Sequence, residues 1–215
     1  MGARRIPTSA ASSEQLSNVP RARATRTIAG RGPFQIDDGS LRESWVGPTC
    51  DGPAWVSTGD VSGDEIDDVV VACMSSDDIM AHFNDGAGNL LPGRAYPAGG
   101  GPKGMVLSDL EGDGDLDVIV ASTRSSTLTI RWNGGVGGFD SVETMDSEGN
   151  PRSVVAVDVD SDGDPDLVSS ARRSDLLRVF ANDGLGGFSA PTNDASGDWP
   201  RTLATGDFDN DGDLD

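Results

Sequence analysis

Residues 69–72 read VVVA and residues 118–121 read VIVA, apolar at every position. A run this short and unbroken predicts a strand buried on both faces. The following segment has a different rhythm. Leu128, Ile130 and Trp132 alternate with Thr129 and Arg131, the period of two that puts two sets on opposite faces of a strand. A short apolar segment such as SVVAV (153–157) precedes each unbroken run. After the alternating segment come NDGAGNL, NGGVGGF and NDGLGGF, opening at Asn84, Asn133 and Asn182. Their glycines supply the positive φ angles of a tight hairpin. A last strand is then predicted from near Leu90, Phe139 and Phe188. Each unit therefore reads as four strands.

The units repeat every 49 residues without insertion or deletion. Pro53, Pro102, Pro151 and Pro200 open them, and an acidic segment follows at Asp60, Asp109, Asp158 and Asp207. This divides the chain into 53–101, 102–150, 151–199 and a truncated start at 200–215. Phe34, Gly39 and Leu41 fall one step before Phe83, Gly88 and Leu90, so 28–52 reads as the outer strands of an earlier unit. Residues 1–27 lack apolar periodicity and read as a disordered or leader-like tail. A four-stranded sheet cannot bury both faces alone, and four strands at this period mark the blades of a β-propeller. A parallel β-helix would need a much shorter period. The expected fold is all-β, a propeller with about three full blades and partial blades at either end.

Composition narrows the choice. The chain of 215 residues carries a formal charge of −20, which repels nucleic-acid phosphates. Residues 1–33 run against this trend, with six Arg and one acid, Glu14. No stretch has the apolar length of a membrane-spanning helix, and no secretory signal peptide is visible near Met1. Cys50 and Cys73 can form a single bridge, although the end of an apolar run also suits Cys73 as a buried free thiol.

The charge is concentrated in the repeated acidic segment. In DVDSDGDPD, Asp158, Asp160, Asp162 and Asp166 occupy positions 1, 3, 5 and 9, and Gly163 occupies position 6. Alternate side chains of a tight loop converge, and packed carboxylates repel unless a cation joins them. An all-oxygen set, completed by the backbone carbonyl of Asp164 at position 7, favours Ca²⁺ over zinc or copper. The Asp164 side chain should then point away. The loop at 109–117 offers Asp109, Glu111, Asp113 and Asp117 with the carbonyl of Asp115. The loop at 207–215 offers Asp207, Asp209, Asp211 and Asp215 with the carbonyl of Asp213. The loop at 60–68 is poorer. Asp60, Asp64 and Asp68 remain, but Ser62 replaces an acid and Glu65 replaces the glycine. An EF-hand is excluded, because its bidentate acid at position 12 is Val120 or Ser169 here. The plain alternative is a solvated acidic turn, which recurrence at a fixed step argues against.

These residues resemble the FG-GAP repeat, also called the VCBS repeat, of integrin α-subunits and many bacterial secreted proteins. Its pattern D-x-D-x-D-G-x-x-D fits the loops at 158 and 207 fully, the loop at 109 with Glu111 at position 3, and the loop at 60 in part. The resemblance implies a ring, seven-bladed in integrins, in which calcium rigidifies the loop between the first two strands of each blade. It also implies an extracellular or cell-surface location. Three blades and one strand cannot close such a ring. The chain is therefore expected to be a fragment whose partners include the remaining blades, with the loop at 207–215 its weakest site.

For function, the leading expectation is a non-catalytic, calcium-binding recognition or adhesion module for a protein or glycan. The alternative is an accessory or lectin-like domain of a secreted carbohydrate-active enzyme. Carboxylates engaged by a metal are poor general acids. The single histidine, His82, is placed facing outward with Met80 by the alternation of its strand, and no catalytic constellation surrounds it. Candidate aromatic platforms for a sugar are Trp45, Trp55 and Trp199, while Trp132 falls with the buried set.

Overall fold

The computed structural model describes residues 50–208, and the backbone of 34–37 and 40–43. Every element in these residues is a strand. A hairpin of β1 (Phe34–Asp37) and β2 (Ser40–Glu43) comes first. Three four-stranded sheets follow, each an antiparallel meander whose strand order follows the chain. The first blade contains β3 (Pro53–Gly59), β4 (Asp68–Cys73), β5 (Asp78–His82) and β6 (Arg94–Pro97). The second contains β7 (Pro102–Ser108), β8 (Asp117–Ser122), β9 (Thr127–Trp132) and β10 (Ser141–Asp146). The third contains β11 (Pro151–Val157), β12 (Asp166–Ala171), β13 (Leu176–Phe180) and β14 (Thr192–Ala195).

The blades stack face to face, with β7 between β3 and β11. The unbroken apolar strand explains how. In β8, Val118 and Val120 pack with Val70, Ala72, Ile79 and Ala81 of the first blade. The intervening Ile119 and Ala121 pack with Val154, Leu167 and Phe180 of the third. One strand therefore supplies two cores, and an apolar residue is needed at every position. The alternating β9 is buried on both faces as well. Its second face carries Arg131, whose guanidinium donates to the carbonyls of Pro97 (2.8 Å from Nε) and Phe139 (3.2 Å from Nη1). Burying that charge is tolerable because it is hydrogen-bonded. Gly104 lets β7 approach β11. A Cβ there would lie 2.5 Å from the Arg152 carbonyl oxygen and 2.7 Å from the Ser153 Cα.

Three expectations need correction. The fourth strands start later than predicted, at Arg94, Ser141 and Thr192. Leu90 and Phe188 instead make isolated bridges to Asn84 and Asn182, closing the glycine-rich turn before the strand begins. His82 does not face outward to solvent. It is buried, with Nδ1 3.2 Å from the Leu91 carbonyl oxygen and its ring close against Gly93. His82 does share a face with Met80, but the chain leading into β6 covers that face at Gly93. Cys73 is not a free thiol but is bonded to Cys50. The segment at 201–207 carries no strand.

Candidate metal centre

Each acidic loop joins the first strand of a blade to the second, and the backbone builds it the same way three times. The position-1 carboxylate folds inward onto main-chain donors. Asp158 Oδ1 accepts from Ser161 and Asp162 (2.8 and 3.2 Å), and its Oδ2 accepts from Gly163 (3.0 Å). Asp109 receives Gly112, Asp113 and Gly114 likewise, and Asp60 receives Gly63, Asp64 and Glu65. The position-5 carboxylate accepts from the amide of position 7, at 3.0 Å in Asp64, Asp113 and Asp162. Two residues per loop take a left-handed conformation, at positions 4 and 6. They are Gly63 and Glu65, Gly112 and Gly114, and Ser161 and Gly163. Only position 6 was anticipated from the sequence. Position 4 carries a weaker signal, because the glycine at 63 and 112 gives way to Ser161 in the third loop.

The position-9 aspartates are almost fully buried, where the second strand begins. Asp166 accepts from Val159 N at 2.9 Å through Oδ2 and from Asn182 N at 2.8 Å through Oδ1. Asp117 is held by Leu110 N and Asn133 N, and Asp68 by Val61 N and Asn84 N, in the same manner. Each carboxylate thereby ties its own loop to the glycine-rich turn.

The asparagines of that turn do more than shape a hairpin. Asn133 Nδ2 donates to the Val61 carbonyl oxygen at 2.9 Å, 72 residues away in the preceding blade. Asn182 Nδ2 donates to the Leu110 carbonyl oxygen at 2.8 Å across the same 72-residue separation. Both acceptors are position 2 of an acidic loop. The repeated asparagine therefore connects its own loop to the one before. Its recurrence was visible in the sequence, but a contact of that range was not.

The third loop gathers carboxylates most tightly. Oxygens of Asp158, Asp160 and Asp166 lie within 4.8 Å of one another, and this is the group able to hold a metal ion among the described residues. Burial, then the charges of Asp162, Asp166 and Asp158, push the Asp160 carboxyl above its ordinary range. Asp162 stands beside this group with its Oδ1 turned to the Asp164 amide. The Asp164 side chain lies against Gly184, away from the loop centre. In the second loop, burial followed by the charges of Asp113, Asp109 and Asp115 raises Glu111. Burial also pushes Asp117 up to about 6, against the pull of the Asn133 and Leu110 amides. In the first loop the shifted group is the position-1 aspartate. Burial pushes Asp60 up, but the amides of Glu65, Gly63, Asp64 and Ser62 hold its carboxyl below the ordinary range. Of the last loop, Asp207 is exposed, and Asp209, Asp211, Asp213 and Asp215 lie outside the described residues. Trp45 lies outside them too.

The FG-GAP-like repeat family matches residues 60–120, 109–169 and 158–215, together spanning most of the chain. The chain belongs to the FG-GAP-like repeat family. Each match begins at the first aspartate of an acidic loop and ends inside or beyond the next one. The three meanders are thus blades of a β-propeller type, set side by side without closing a ring. No curated protein matches the chain. Among solved structures, it is similar to an Agrocybe aegerita lectin described as recognising non-reducing terminal N-acetylglucosamine. That likeness has 20% identity and a TM-score of 0.45, over 64% of this chain and 37% of the lectin. A Photorhabdus luminescens Tc holotoxin pore is similar at 20% identity and a TM-score of 0.43, over 84% of this chain and 10% of that one. The chain thus spans well under half the length of either.

Proposed function

We propose that this FG-GAP array is a non-catalytic recognition module, stabilised by calcium and presenting its blade edges to a protein or glycan outside the cell. The observation that carries the metal claim is the convergence of Asp158, Asp160 and Asp166 within 4.8 Å. Three like charges so close favour a hard cation, and an oxygen-only donor set favours Ca²⁺. In the other loops, Asp60, Ser62, Asp64 and Asp68, and Asp109, Glu111, Asp113 and Asp117, take the equivalent positions. Asp162 is the position-5 ligand of the third loop, and the carbonyls of Asp115 and Asp164 complete the second and third. Asp207, Asp209, Asp211, Asp213 and Asp215 form the last. Calcium would brace the turn between two strands and leave no group for chemistry.

The bridge between Cys50 and Cys73 fits an oxidising compartment, where millimolar calcium fills even weak sites. The remaining blades of a longer ring would cover the outer faces of the first and third blades. Calorimetric titration of the calcium-free chain tests the reading. Binding heat and a raised melting temperature are expected. A chain whose heat and melting point ignore Ca²⁺ overturns it.

A further inference from the structure

The two spaces between neighbouring blades are built differently. Between the first and second blades, Arg94 of β6 reaches across and pairs with Asp140 at 2.9 Å. Tyr96 donates from its hydroxyl to the Gly137 carbonyl oxygen at 2.9 Å and meets Phe139 edge to face. The Phe83 ring is tucked under Gly137. That side is closed. One repeat later, the positions of Arg94 and Asp140 are occupied by Glu143 and Ser189, and that of Tyr96 by Met145. No bridge forms, and a cleft of about 520 Å³ opens between the second and third blades.

Its walls include Trp132, Glu111, Ser141, Glu143, Leu185 and Gly186. Trp132 is half-buried, not wholly within the core where its strand pattern placed it, and its six-membered ring lies beneath Gly186. Among the described residues, the Trp132 indole N–H, the Ser141 hydroxyl and the Glu143 carboxylate make no hydrogen bond or ion pair. An aromatic body, one donor, one hydroxyl and carboxylate acceptors thus face one open space. A pocket that pairs an apolar plate with a few convergent polar groups is suited to a small ligand.

We propose that this cleft binds a sugar ring, with Trp132 against its C–H face and Glu143 and Ser141 taking its hydroxyls. The carboxylate of Glu143, in a chain of net charge −20, commits the site to neutral or amino sugars over sialylated or sulfated ones. This proposal rests on the recognition-module reading for its biological sense, but not on calcium.

The test uses the full chain in calcium buffer and follows tryptophan fluorescence on adding chitotriose or cellotriose, with sialyllactose as the anionic control. The neutral trisaccharides should give a saturable change and sialyllactose none. E143A, at an exposed position, should weaken binding about tenfold, the worth of one charge-assisted hydrogen bond. W132F has a precedent in Phe83 one repeat earlier. It should lose most of the fluorescence change and bind several-fold more weakly, at an unchanged melting temperature. No saturable response to either neutral trisaccharide overturns the proposal, and the calcium titration then decides the fate of the module separately. Sugar binding that both variants retain at wild-type strength also overturns this site, while leaving glycan recognition elsewhere on the module standing.

Discussion

The loops at 60–68 and 158–166 have the same backbone and a different charge at position 3. Both fold the first aspartate onto main-chain amides, and both place left-handed residues at positions 4 and 6. In the first loop those amides hold Asp60 below its ordinary range, and position 3 is the neutral Ser62. In the third, Asp160 occupies position 3 and is pushed up by burial and by three neighbouring carboxylates. The shape of the loop is therefore set by hydrogen bonds that need no ion. What differs is the crowding of like charge, which comes from the side chain at position 3.

The largest effect in either loop should come from the buried position 9. D166A leaves the amides of Val159 and Asn182 without acceptors. A loss of about 2–4 kcal/mol is expected from two orphaned buried donors. D68A should cost a similar amount, since it also removes two such bonds. Urea unfolding in EDTA measures both, and a neutral outcome for either would break the claim that the two loops share one scaffold.

Next in size is the calcium response. D160N should weaken binding at the third loop by about tenfold or more through the loss of one charged ligand. S62D should strengthen binding at the first. Single-site calorimetry in variants with the other loops silenced separates them. If Ser62→Asp has no effect, position 3 is not what distinguishes the loops.

A smaller effect is expected from pH. The Asp117 carboxyl is raised to about 6 in the fold, above its unfolded value, so the folded state binds its proton more readily. This group's penalty is present at neutral pH and is relieved as pH falls from about 6 towards 4. Without calcium, melting temperature should therefore rise across that window. With saturating calcium the rise should shrink. D117N, which fixes the neutral form, should flatten the profile in EDTA.

The smallest effect concerns Glu65, left-handed at φ 65° where the other loops have glycine. E65G should relieve about 1 kcal/mol of backbone strain, partly offset by the freedom glycine gains when unfolded. A melting-temperature gain of a few degrees or less would show it.

Much of this architecture can be read from residues alone. The unbroken run at 118–121 announces a strand with two buried faces, and β8 does serve two cores. The prolines at 53, 102 and 151 mark the first residue of each blade. The acidic pattern locates the loop and sets its last aspartate at the strand start, while the burial of that aspartate emerges from the fold. What could not be read depends on partners distant in sequence. His82 is covered by a segment whose path no local pattern fixes. The pairing of Cys50 with Cys73 is a matter of spatial approach. Ser161 adopts its backbone conformation because Asp158 collects the amides around it. Arg94 and Asp140 lie in different repeats, so their pairing, and its absence one step later, emerges only when the blades are stacked.

The clasp made by Asn133 and Asn182 reaches back 72 residues, while the sequence repeats every 49. A single repeat therefore cannot contain both ends of its own clasp. Copying one unit within such a gene adds a new asparagine and a new loop together, and each finds its mate in a neighbour. An array can lengthen by whole blades without redesigning a joint. A lone blade cut out by a protein engineer would carry, after its third strand, an asparagine that has nothing to hold.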